Sequence, residues 1–160
     1  MTALRTTCAI LLAGLAANGA RAGGRESLLP AGSYEVRYRL ELPHLESWAI
    51  EKTRTICVAD GGTKDAAPLP VLSGNNPLAT CPAGNVHREG AALQFDIRCP
   101  GRNEARAHAA YTLLPGGFKG RIAMVMGAKN MTMTEVQVGR RIGRCDVAGA
   151  PWRDRSSVSD

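Results

Sequence analysis

The chain has 160 residues, with 20 Lys and Arg against 14 Asp and Glu, a formal net charge of +6, and only 4% aromatic residues. That length suits one domain. Its basic residues are spread along the chain apart from Arg140, Arg141 and Arg144, and no aromatic ladder accompanies them, so the focused basic patch and stacking platforms of a nucleic-acid binder are missing.

Arg5 precedes an apolar run over residues 8–17, and the small-residue site Ala20-Arg21-Ala22 follows. This is the layout of a secretory signal peptide, and the run is too short to span a bilayer. Cleavage after Ala22 removes Arg5 and Arg21 and no acids, so the net charge falls by two, from +6 to +4. Cys8 stands before most of the apolar run, the reverse of the order a lipidated cysteine needs. No second apolar run follows, which predicts a periplasmic or secreted protein without a transmembrane segment after signal cleavage. The expected organisation is a signal peptide over 1–22, a single β-rich domain over 23–146 and a flexible polar tail over 147–160.

Residues 23–32 read as a polar leader. Residues 33–42 are the clearest half-buried strand: Tyr34, Val36, Tyr38 and Leu40 alternate with Glu35, Arg37, Arg39 and Glu41. A turn over 43–47 leads to a second strand over 48–58. Residues 59–80 form a long connection punctuated by Gly61-Gly62, Pro68, Pro70, Gly74 and Pro77. Its apolar patch Leu69-Pro70-Val71-Leu72 either packs onto the sheet or lines a ligand cleft. A short edge strand over 81–86 is followed by a strand over 92–99, with Leu93, Phe95, Ile97 and Cys99 facing the core. After a turn at 100–103, the strand over 104–114 turns Ala105, Ala107, Ala109, Tyr111 and Leu113 inward and Arg106 and His108 outward. The alanine ladder requires something to approach closely there, a covering loop or a ligand.

Residues 118–141 read as a hairpin turning at Gly127-Ala128-Lys129-Asn130, where Gly and Asn tolerate positive φ. This sets Met126 opposite Met131, Met124 opposite Met133 and Ile122 opposite Glu135, all on one face. Core filling by a soft, adaptable side chain explains the four thioethers; a Cu(I) site is the alternative, since soft sulfur ligands select that ion. Glu135 is the odd member of the face. The expectation is a place at the solvated sheet margin; burial against an Arg would instead make it a site candidate.

Without Cys8 the chain keeps Cys57, Cys81, Cys99 and Cys145, an even count that reads as two disulfides in an exported protein. Positions 81 and 99 are symmetric about the turn near Gly90, so they oppose each other across a hairpin, and Cys57 pairs with Cys145 by elimination. No CxxC spacing supports a zinc site. Short strands joined by turns, with no long helix, predict an antiparallel meander forming a curved sheet, a sandwich or a partly open barrel.

Gly32-Ser33-Tyr34-Glu35, Cys57-Val58, Cys81, Cys99, the run Met126 to Glu135 (MGAKNMTMTE) and the run Gly139 to Cys145 (GRRIGRC) carry a resemblance. Over residues 32–146 the chain resembles the exported bacterial proteins grouped as domain-of-unknown-function family 3617 (DUF3617). The resemblance implies a β-rich, disulfide-linked, periplasmic domain, and it brings no activity or catalytic residue with it.

No Gly-x-Ser-x-Gly elbow, paired-carboxylate spacing, His-x-x-x-His motif or phosphate-binding loop is present. His44, His87 and His108 fall in a turn, beside a hairpin tip and on an outer face, where histidines are usually solvated. The sequon Asn130-Met131-Thr132 lies in the tight turn. These features favour a non-enzymatic binding or accessory module of the periplasm, with no cofactor, that takes a small ligand or a periplasmic protein partner. The alternatives are a copper-handling protein using Met124, Met126, Met131 and Met133, and an enzyme assembled from scattered residues such as Glu135, Arg121 and His108. Arg140, Arg141 and Arg144 are candidates for an anion or partner site.

Overall fold

The computed structural model describes residues 29–59, 67–101, 104–127 and 131–145. The expected signal peptide, tail and most of the leader lie outside these residues. Seven strands form one open, curved antiparallel sheet: β1 (Gly32–Glu41), β2 (Glu51–Val58), β3 (Ala83–Glu89), β4 (Ala92–Arg98), β5 (Arg106–Leu114), β6 (Gly117–Met126) and β7 (Met131–Gly143). Their order is β2-β1-β7-β6-β5-β4-β3. The chain thus meanders from β3 to β7, and β7 then accepts β1 from the β1–β2 hairpin. Of the three expected forms, the open curved sheet is the one adopted.

Period-two alternation decides which side chains are buried. Tyr34, Val36 and Tyr38 of β1, Leu93, Phe95 and Ile97 of β4, and Ala107, Ala109, Tyr111 and Leu113 of β5 all lie on the inner face. The β6–β7 register is the expected one: Ile122 faces Glu135, Met124 faces Met133 and Met126 faces Met131. The second strand starts later than the sequence suggests. Residues Glu46–Trp48 form a 3₁₀ turn, leaving Trp48 82% and Ile50 74% exposed. The third strand is also displaced, to Ala83–Glu89, because Pro82 and the Cys81 bridge hold the chain just before it.

Both expected disulfides are present. Cys81–Cys99, at a Cα separation of 4.9 Å, continues the Ala83–Ile97 register across the β3–β4 hairpin. Cys57–Cys145 ties β2 to the exit of β7.

The inner face is covered by part of the long connection. Leu69, Val71, Leu72 and Leu78 are buried in the same core as the sheet residues. This segment begins over β7, where Gln137 Nε2 donates to Pro70 O (2.8 Å). It then meets β6, where Asn76 Nδ2 donates to Met124 Sδ (3.1 Å), and reaches the end of β4 through Cys81–Cys99. Between those two anchors the 3₁₀ turn Pro77–Thr80 must cross β5, at the level of Ala105 and Ala107. Of the two covers that the alanine ladder allows, the described residues supply the loop, whose Leu78 is buried in one core with Ala105, Ala107 and Ala109.

Candidate functional site

The most unusual feature of the inner face is polar. Met131, Met133, Glu135, Gln137 and Gly139 share one face of β7, and the carboxyl and amide in the middle of that series are both 0% exposed. Burying such groups is costly unless their hydrogen bonds are made. Glu135 Oε1 accepts from Leu72 N (2.8 Å) and Gln137 Nε2 (2.6 Å), and Oε2 accepts from Ser73 N (2.8 Å). Gln137 Oε1 in turn accepts from the Tyr111 hydroxyl (2.9 Å). The expectation that Glu135 occupies a solvated margin is overturned, and so is its alternative: no Arg or Lys among the described residues pairs with it. Loop amides stand where a cation was expected.

Gly120 makes this network possible. The register aligns Tyr111, Gly120 and Gln137 in one row across β5, β6 and β7. A Cβ at Gly120 would overlap the Tyr111 ring, so only glycine lets that ring lie across β6 and bring its hydroxyl to Gln137. Burial pushes the Tyr111 phenol well above its usual range, and the nearby negative charge of Glu135 pushes in the same direction.

The four methionines do not share one environment. Met124 is buried in the core and accepts from Asn76, Met126 and Met133 pack partly buried against that core, and Met131 is 50% exposed. The three arginines near Cys145 are split between faces. Arg140 Nη2 pairs with Glu35 (3.1 Å), whereas the Arg141 guanidinium donates to Ala31 O through Nε (3.2 Å) and Nη2 (3.0 Å), beside Tyr34, whose hydroxyl donates to Pro30 O (2.7 Å). Arg144 is exposed.

His44 and His87 are exposed, as is His108, whose Nδ1 lies 3.0 Å from Asp96 Oδ1. Asn85 donates to the other Asp96 oxygen (2.8 Å), and these two bonds hold the Asp96 carboxyl below its usual range. Arg121 lies on the outer face near Glu41 (3.6 Å), the opposite face from Glu135, so the scattered trio Glu135, Arg121 and His108 is not brought together. Among the described residues no group of three or more His, Cys, Asp or Glu is placed to hold a metal ion.

Sequence reasoning found Glu135 but missed Gln137, Tyr111 and the loop amides of Leu72 and Ser73. The available signal was the second polar residue on an apolar face, Gln137 two positions after Glu135.

A family model described as a protein of unknown function, DUF3617, matches residues 29–145. The chain belongs to the DUF3617 family. That match takes in all seven strands, both disulfides and the Glu135 network. No curated protein and no solved structure matches this DUF3617 chain. Among the described residues no helix is long and apolar enough to cross a membrane.

Proposed function

We propose that this DUF3617 domain is an exported, non-catalytic binding or accessory module of the periplasm, which receives an apolar ligand or peptide segment on the inner face of its sheet beneath residues 67–81. One observation carries the reading. The apolar face of a seven-stranded sheet is covered, among the described residues, by a loop rather than by a second sheet or a helix, and that loop is hydrogen-bonded over β7 and β6 and disulfide-linked at its β4 end. A loop opens at lower cost than a packed layer, because few backbone hydrogen bonds hold it. The non-catalytic part rests on Glu135, whose two oxygens are both engaged by donors of the protein itself.

Native mass spectrometry of the protein taken from a periplasmic fraction tests this. The expected spectrum shows residues 23–160 less four hydrogens, carrying an organic adduct that is lost on unfolding. A bare chain that also takes up no added oleate contradicts the binding role, and an unprocessed N-terminus contradicts export.

A further inference from the structure

The outer face of the sheet carries a second feature, independent of the inner-face reading. A depression of about 330 Å³ lies over β4, β5, β6 and β7, at the small end of the range for ligand clefts. Ala123 and Val125, short side chains of β6, line it between Thr132 and Thr134 of β7 on one side and Arg98 of β4 and Arg106 of β5 on the other. We propose that this depression binds a small molecule through a carboxylate or phosphate group, with Arg98 and Arg106 holding the anion.

The register makes the argument. Arg98 and Arg106 are directly opposite each other on neighbouring strands. Cys99 N donates to Ala105 O (2.9 Å), so that pair is hydrogen-bonded and the adjacent Arg98/Arg106 pair is of the non-hydrogen-bonded kind, in which side chains stand closest. Like charges so placed destabilise a sheet. Elsewhere on this face the arginines are matched: Arg140 by Glu35, Arg37 by Glu51, and Arg39 and Arg121 by Glu41. Arg98 and Arg106 have no ion pair among the described residues. The one carboxylate lining the depression, Asp96, feels the charge of Arg98 but spends its hydrogen bonds on Asn85 and His108. Two guanidiniums against one occupied carboxylate leave a net positive charge. An oxyanion between them relieves the repulsion and gains charge-assisted hydrogen bonds, with the threonine hydroxyls as further donors.

The test is an NMR titration of the folded protein at low salt with two probes, sodium pyrophosphate and sodium citrate, reading the Arg side-chain Nε–H and backbone amide signals. The expected result is saturable shifts at Arg98, Arg106, Thr132 and Thr134 with at least one probe. Affinity should fall at least ten-fold in the R98Q/R106Q variant, whose spectrum elsewhere stays that of the folded domain, and should weaken as salt is raised. Tighter binding of pyrophosphate assigns the site to phosphate compounds, and tighter binding of citrate assigns it to carboxylates. No saturable shift with either probe, or equal binding by the double variant, overturns the proposal. The single variants R98Q and R106Q serve the same purpose if the double variant loses its fold.

Discussion

A carboxyl group with no exposed surface needs donors, and Glu135 takes them from the backbone of the loop it faces, at Leu72 and Ser73, and from Gln137. Breaking one partner of such a buried set costs about 1–3 kcal/mol, since the group left behind pays its full desolvation. The Tyr111 hydroxyl closes the far end of the set on Gln137. Its raised pKa has a measurable consequence with a definite sign. Below pH 10 the phenol is neutral in both folded and unfolded chains, and stability does not depend on it. Above pH 10 the unfolded chain releases the proton while the folded one retains it, so stability falls by about 1.4 kcal/mol per pH unit until the folded group also ionises. Urea unfolding of the wild type and Tyr111→Phe at pH 8, 10, 10.5 and 11 should show this increment of slope in the wild type alone. Identical slopes would mean that Tyr111 is not held as described.

The elements depend on the absence of side chains as much as on their presence. Gly120 lies beneath the Tyr111 ring and Gly139 beneath the Phe118 ring, and the two rings meet edge to face at 5.7 Å. Gly120→Ala should therefore displace Tyr111 from Gln137 and destabilise the domain by about 2 kcal/mol or more, whereas Ala at the open turn glycine Gly74, where a Cβ meets nothing within 4 Å, should cost far less. Chemical denaturation of both variants measures the difference. Glycines in these two rows also mark the limit of what the sequence tells. Alternation placed the inner faces of β1, β4 and β5, and loop length fixed the β6–β7 register residue by residue, because both follow from local geometry. Symmetry about Gly90 pointed to the Cys81–Cys99 bridge, but the hairpin turns between Gly90 and Ala91. It is a bulge between Gly84 and His87, not legible in the sequence, that shifts the register and sets these two cysteines opposite each other. The pairing of β1 with β7 joins residues about a hundred positions apart, and no local signal specifies it. The partners of Glu135 were equally hidden, because two of them are backbone amides of a loop, and an amide is the same in every residue but proline. A side-chain pattern does not single them out.

At the scale of the molecule, the domain is one curved sheet, one covering loop and two covalent ties. Cys81–Cys99 anchors one end of the loop, Cys57–Cys145 joins the β1–β2 hairpin to the exit of β7, and the Glu135–Gln137–Tyr111 set fastens the loop over β7. Outside this arrangement, on the other face, the opposed Arg98 and Arg106 leave a charged depression. The central claim is that a buried carboxylate fastens the cover to the sheet. Backbone amide exchange at Leu72 and Ser73, in the wild type and in Glu135→Gln, tests it most directly. In the wild type both amides should be clearly protected, though less than those of β6 and β7, because the loop opens more readily than the sheet. In the variant, where an NH₂ replaces one acceptor oxygen, they should exchange roughly ten- to a hundred-fold faster while the amides of β4 and β5 stay protected. Open-loop exchange rates for Leu72 and Ser73 in the wild type, or unchanged rates in the variant, would contradict the account.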